Sequence, residues 1–368
     1  LKRFIRDLIA VMVIMGVLVA ICGATVFILF GDDIIDFVQT GMARFTLSSR
    51  QADLERGVSD DTSPVRFVVT PGDTLRIIAS NLLNAGLIID DDLFFNYVRA
   101  NELDTQLEAG TYFFNRTQSI TQIALALTDS AASQFPFRIL EGWRIEEIAA
   151  AIDENPVYFD FTGTEFLLVV GPGALIDQSF RDFVGLPDGA SLEGFLYPDT
   201  YQLPAGITAI QLRDILLQTF LERVGTQIAL DAREQGFSLF QIVTLASIVE
   251  KEALHDDEHV LIASAYRNRY DIGMNLDADP TVQYGLNGAR GRWWPPITLA
   301  DYRGVDSPYN TYLYSGLPPG PIANPGISAI RGATYPAESN YIYFRARCDG
   351  SGYHAFAVTY EEHQANGC

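Results

Sequence analysis

Two glutamates sit near the end of an almost wholly apolar stretch, QIVTLASIVEKEAL at 241–254. At about 100° per residue, Ile242, Val243, Leu245, Ala246, Ile248 and Val249 point in nearly every direction, so the stretch reads as a buried helix. A carboxylate taken from water without a partner is costly, so such groups are paired, protonated or functional. Glu250 and Glu252 therefore mark either a helix end that reaches solvent beside Lys251, or acids held in an apolar setting for proton transfer. The helical wheel sets them about 200° apart and gives both apolar neighbours, so it does not choose between them. Ser238 and Gln241 have the spacing of a capping box, which starts this helix just after Gly236.

Two other sets of side chains could do chemistry. His255 and His259 stand at i, i+4 in LHDDEHV, a spacing that can hold a metal on a helical face. The HExxH order is absent and acids intervene, so a solvated face is expected and no metal. Of three cysteines, Cys22 falls in an apolar run, leaving Cys348 and Cys368 outside it. In an oxidising compartment these two could close a short C-terminal loop, and two free thiols are the alternative. No CxxC pair exists, so a thiolate zinc site is excluded.

The chain of 368 residues has room for two or three domains, and its 48% apolar content excludes a disordered polymer. Asp and Glu outnumber Lys and Arg 46 to 25, a net charge of −21. Such a chain lacks the basic footprint that nucleic acid requires, and equally a surface that clings to anionic lipid. From Leu8 to Phe30 run 23 uncharged residues, at about 1.5 Å each enough to span a hydrocarbon core of about 30 Å. Lys2, Arg3 and Arg6 precede the run and Asp32, Asp33 and Asp36 follow it. A retained single-pass anchor is expected, with the bulk of the chain extracytoplasmic.

Beyond the anchor, 31–64 reads as a polar stalk. Phe67 to Val69 reads as a strand, Pro71-Gly72 as a turn, and Asp73 as the N-cap of a helix whose apolar stripe is Leu75, Ile78, Ala79 and Leu82. The pattern recurs 70 positions on: Phe137, Gly142, Ile145, Ile148 and Ala149 repeat the offsets of Phe67, Gly72, Leu75, Ile78 and Ala79. Two related strand–turn–helix units are expected, too few for a solenoid.

FVVTPGDTLRIIAS together with LEAGTYFF at 107–114 resembles a LysM-like module. After it come LEGFLYPDTYQLP at 192–204, LASIVEKEA, NLDADPTVQYG at 275–285, SPYNTYLYSGLPPGPIANPG at 307–326 and YIYF at 341–344. In that order, and over essentially the whole chain, these segments resemble the YceG-like family of membrane-anchored endolytic murein transglycosylases. The resemblance implies an α+β protein: stub and transmembrane helix at 1–30, stalk at 31–64, LysM-like peptidoglycan-binding module at 65–131, bridging subdomain at 132–205 and catalytic domain at 206–368. It implies cleavage of nascent peptidoglycan glycan strands without a cofactor. The implied partners are the strands themselves and membrane-bound glycan polymerases or penicillin-binding proteins.

Hydrolytic glycosidases generally need two carboxylates flanking the scissile bond. A lytic transglycosylase needs one, because the C6 hydroxyl of N-acetylmuramic acid is the nucleophile and closes a 1,6-anhydro ring. One Glu in an apolar setting suits the acid step, since desolvation keeps it protonated near neutrality. The resemblance selects the first Glu of IVEKE, Glu250, and makes Glu252 a supporting residue paired with a cation such as Arg269. Ser247 and Asp279 join the candidate substrate-binding set. Tyr284, Tyr309, Tyr312, Trp293 and Trp294 are candidates to stack on sugars, and Gln283 and Asn310 to bond N-acetyl groups; turn and core residues look the same in sequence. His354 holds the family's G-H-x-F position, near the cleft or in a structural hydrogen bond, with RCDGSGY inserted beside it. Two rivals are a non-enzymatic, membrane-tethered adaptor and a hydrolytic muramidase, for which Asp279 is the one motif-borne second carboxylate.

Overall fold

The computed structural model describes residues 47–368, with Met12, Met15 and Gly16. The expected anchor at 8–30 and the stalk as far as 46 otherwise lie outside the described residues. Among the described residues no helix is long and apolar enough to cross a membrane. The chain divides into two compact units, one up to Gln134 and one from Phe135 onward.

In the first unit, helix α1 (Gln51–Leu54) precedes strand β1 (Val65–Val69), helices α2 (Leu75–Asn84) and α3 (Asp91–Ala100), strand β2 (Gly110–Phe114) and helix α4 (Ile120–Ala126). β1 and β2 pair antiparallel with Phe67 opposite Tyr112. Alternate residues turn inward, Phe67 and Val69 from one strand and Tyr112 and Phe114 from the other, as a half-buried ribbon requires. They meet Ile78, Ala79 and Leu82 of α2 and Leu93, Phe94 and Val98 of α3 in one core. The cap of α2 differs from expectation. Thr74 holds the N-cap position and accepts from Ile77 N. The Asp73 carboxylate turns back to accept from Thr70 N at 2.8 Å, which closes the turn and takes it away from the helix end.

The second unit pairs β3 (Gln134–Arg138) with β4 (Thr200–Pro204). Between them lie helices α5 (Ile145–Asp153), α6 (Gly163–Val170) and α7 (Gln178–Val184). Helix α8 (Ala209–Glu234) follows, broken at Gly225, and then α9 (Leu239–Glu252). Helices α10 (His259–Asp271), α11 (Asp279–Gly285), α12 (Asp301–Gly304) and α13 (Ile327–Thr334) lead to the antiparallel pair β5 (Tyr343–Ala346) and β6 (His354–Ala357), and to α14 (Tyr360–Ala365). The architecture is mixed α+β. The segment from 135 to 205 packs within the same unit as 206–368.

Helix α9 is the axis of this unit. Every residue from Leu239 to Val249 except Gln241 is buried, and α8, α10, α11 and α13 pack around it. The 70-residue repeat is present as geometry. β1 and β3 each lead into a glycine in the left-handed region, Gly72 at φ 96° and Gly142 at φ 74°, and each helix starts three residues later. That backbone conformation carries a steric penalty for any residue with a Cβ. At the far end Cys348 and Cys368 are disulfide-bonded, with Cα atoms 5.6 Å apart. The pair therefore closes a loop, and the inserted residues join β5 to β6 through a turn held by Arg347 N donating to Tyr353 O.

Candidate active site

Helix α9 starts as its sequence requires. Ser238 Oγ accepts from Gln241 N, and the Gln241 side chain accepts from Ser238 N, satisfying two of the helix's free donors. The apolar shaft ends at Glu250, and the chain turns extended at Ala253. Glu250, Lys251 and Glu252 are each partly buried there.

The two glutamates occupy different surroundings. Glu250 Oε2 accepts from Gly326 N at 3.0 Å, at the start of α13. Burial pushes its carboxyl up to about 7; Glu141 and Asp256 add to the rise, while the Gly326 hydrogen bond and Lys251 oppose it. Gly142 lies against the same side chain, since a Cβ there would stand 3.6 Å from Glu250 Cγ. Glu141 also reaches Gly326, whose missing Cβ leaves the space that the Glu141 carboxyl fills. Glu250 thus lies between two backbone turns, with a second carboxyl on the same glycine.

Glu252 points the other way. Its Oε1 accepts from the Tyr266 hydroxyl at 2.7 Å, and burial lifts its carboxyl to about 7 as well, with Asp279 adding to the rise. The expected pairing with Arg269 is not made. That guanidinium donates to the carbonyls of Leu276 and Ile342, both at 2.5 Å, and acts on Glu252 only through space. Asp279 accepts from the Tyr312 hydroxyl at 2.7 Å, and Tyr312 stacks on Tyr302. Proton affinity alone does not separate Glu250 from Glu252; their partners do. Glu252 is tied into a cluster of tyrosine hydroxyls, whereas Glu250 meets main-chain turns.

Other sequence candidates divide between the groove and its scaffold. Ser247 is buried, donates to Thr244 O and accepts from Ile322 N, which fastens the proline-rich loop to α9. The Asn310 amide is committed to backbone, donating to Tyr302 O and Val305 O and accepting from Tyr312 N, so it is a loop clamp and not a free N-acetyl ligand. Gln283 donates to Pro295 O and holds the tryptophan-bearing loop. His354 is buried, with its backbone N and Nδ1 both bonded to Glu258. Tyr284 and Tyr309 pack together at 4.6 Å and line a cavity of about 690 Å³. The histidine pair does not share a helical face, because α10 begins at His259. His255 stacks on Tyr353, while His259 is buried against Ser328 Oγ instead of lying on a solvated face. Among the described residues no cluster could hold a metal ion.

Around Glu250, Arg144, Glu193 and Asn324 had no role in the sequence reading, and Lys251 and Trp294 entered it only as a solvated neighbour and a sugar-stacking candidate. Lys251 donates to Gly142 O at 3.3 Å, and its ammonium lies 4.1 Å from the centre of the Trp294 ring. Trp294 donates from Nε1 to Glu147. Arg144 is almost wholly buried, pairs with Glu146 at 3.2 Å and lies 4.1 Å over Tyr284. Glu193 is buried, accepts from Ile145 N and Asn324 Nδ2, and is pushed well above the usual carboxylate range, first by burial and then by Glu146. Asn324 accepts from Gly194 N and Leu196 N and donates to Trp143 O and Glu193, so one amide joins three loops. The available signal was EGWR at 141–144, inside the second copy of the repeat.

These elements match known proteins over most of their length. The profile of the YceG-like family matches residues 67–367. An endolytic murein transglycosylase of Bacillus subtilis (strain 168) is 30% identical over 326 residues, 84% of this chain and 86% of that one. An endolytic murein transglycosylase of Streptococcus pneumoniae serotype 2 is 27% identical over 81% of this chain, which spans 57% of its length. The crystal structure of a yceG-like protein from Listeria monocytogenes aligns with a TM-score of 0.53 at 28% identity, covering 82% of this chain and 99% of that one. The chain belongs to the YceG-like family.

Proposed function

We propose that this protein is an endolytic lytic transglycosylase of peptidoglycan in which Glu250 is the catalytic acid and base. The observation that carries the reading is a carboxyl held near pH 7 by burial at the end of an apolar helix, facing two backbone turns. In the acid form Glu250 protonates the oxygen linking N-acetylmuramic acid to the next N-acetylglucosamine, and that C–O bond breaks. As carboxylate it then takes the proton of the muramic C6 hydroxyl, whose oxygen bonds to the anomeric carbon. The products are a free C4 hydroxyl and a 1,6-anhydro end, and Glu250 is again protonated. No water enters, so no second catalytic carboxylate is needed. Asp279, the second carboxylate a muramidase reading would use, is held by Tyr312 on the Glu252 side.

The remaining assignments belong to the same proposal. Residues 65–131 form the LysM-like glycan-holding module. Residues 8–30 form the membrane anchor, and the catalytic unit lies outside the cytoplasm, where glycan polymerases work. The bonded Cys348 and Cys368 support that placement, because disulfides persist in oxidising compartments. Digestion of purified glycan strands, with ends read by mass, tests the reading. Anhydro-muramic ends from the wild type and none from Glu250→Gln are expected. Reducing ends, or unchanged cleavage by the variant, would remove it.

A further inference from the structure

The cavity of about 690 Å³ is of a size that holds a bound ligand and has no role in the steps above. Arg144 lines it, and Nη1 of this nearly fully buried side chain has no hydrogen-bond partner among the described residues. The other guanidinium nitrogens are engaged, Nε by Glu146 and Nη2 by Asn287 Oδ1 at 3.3 Å. A buried donor left without a partner is costly, so a guanidinium nitrogen in this state at a cavity wall is one that an acceptor brought by a ligand would satisfy. Because Glu146 already balances the guanidinium charge, a neutral amide carbonyl suits Nη1 better than a second carboxylate.

Two features identify what brings that carbonyl. A pyranose ring binds through an open aromatic face, and the rings here already carry other groups. Tyr284 carries Arg144 over one face and packs against Tyr309, while Phe240 stacks on Phe195. Much of the remaining wall is proline, with Pro172, Pro187, Pro319 and Pro321 contributing, which suits an extended peptide more than a sugar. The second feature is position. Gly142, two residues before Arg144, lies against Glu250 and Lys251, and Lys251, Trp294 and Arg144 form a continuous row from the acid to the cavity. In muramic acid the peptide hangs from C3, two ring bonds from the anomeric carbon at which Glu250 works. We propose that this cavity receives the peptide stem of muramic acid, with a stem carbonyl accepting from Arg144 Nη1. The proposal rests on the transglycosylase reading for its substrate, and it adds a peptide specificity to the glycan-cleaving site.

Binding without turnover tests it separately from that reading. Calorimetry on the full chain compares N-acetylmuramoyl pentapeptide with N-acetylmuramic acid, neither of which contains a bond to cleave. The peptide-bearing ligand is expected to bind at least tenfold more tightly. Arg144→Lys, which keeps the charge but loses the planar fork, is expected to weaken that binding at least tenfold. Ala190→Phe, which adds a ring to the cavity from its wall and leaves the Arg144 side chain unsubstituted, is expected to abolish the difference between the ligands. Equal affinity of the two ligands, or a difference that survives Ala190→Phe, overturns the proposal. The transglycosylase reading stands or falls on the glycan ends and not on this measurement.

Discussion

At the scale of single residues the chemistry depends on what surrounds a carboxyl. Glu250→Gln is expected to fold and to lose cleavage by about 10²–10⁴, the range that general acid–base catalysis supplies. Wild-type kcat/KM should fall as pH rises through about 7, because the free enzyme must hold the proton it donates. Glu141→Gln removes a negative neighbour of Glu250, so the same limb should move to lower pH; an unmoved limb would separate the two carboxyls electrically. The sign for stability follows from the same raised value. Glu250 titrates near 4.5 when unfolded and near 7 when folded, so its contribution is complete below 4.5 and lost as pH rises to 7. Glu250→Gln should therefore gain about 1–3 kcal/mol over the wild type at pH 8 and nothing at pH 4, read from urea midpoints. An acid in this helix was legible from apolar residues on all sides of it. Which glutamate meets the backbone turns was not, because Tyr266, Gly326 and Gly142 come to the helix from other elements.

At the scale of elements, local rules place helices and fail at their ends. The capping box at Ser238 was readable because its two partners are three residues apart. Asp73 and Thr74 are both good caps, and the choice was made by the tight turn that drew the Asp73 side chain back to Thr70. The solvated helical face expected at His255 and His259 did not form, because the helix starts at His259, four residues after His255, and tertiary packing then buried His259. The loop clamps were invisible: nothing in a single sequence says that Asn324 serves the loops at 143 and at 193–196. Asn324→Ala should lower stability by about 2–4 kcal/mol, since it leaves several buried donors and acceptors unpaired. Chemical denaturation measures this, and a loss under about 0.5 kcal/mol would mean that the loops hold without it.

At the scale of the whole molecule, the uncharged run at 8–30 and the charges that flank it set the expected compartment. Protease added to intact spheroplasts should digest the bulk of the chain and spare an N-terminal stub; protection of the entire chain would reverse the proposed topology. The Cys348–Cys368 bond closes a loop with a sequence separation of 20, for which chain entropy gives about 3 kcal/mol. Cys348→Ser with Cys368→Ser should therefore lower thermal stability, while reductant should leave that variant unaffected. The pairing was legible only as one of two alternatives, because spacing does not say whether two thiols can approach. The mixed α+β class was expected from the family resemblance, and the strand–turn–helix patterns gave only its two local units.

The two copies of that pattern share a backbone course but differ in freedom. A side chain added at Gly72 would meet nothing within 4 Å, whereas one at Gly142 would press on Lys251 and stand beside Glu250. If the copies descend from one duplicated ancestor, selection has since acted on them unequally. The first turn is free to drift, limited only by its left-handed glycine. The second is held by every residue that touches it, so Gly142, Lys251, Asn324 and Gly326 should be inherited as a block across relatives. A lineage that loses one of them should lose the others with it.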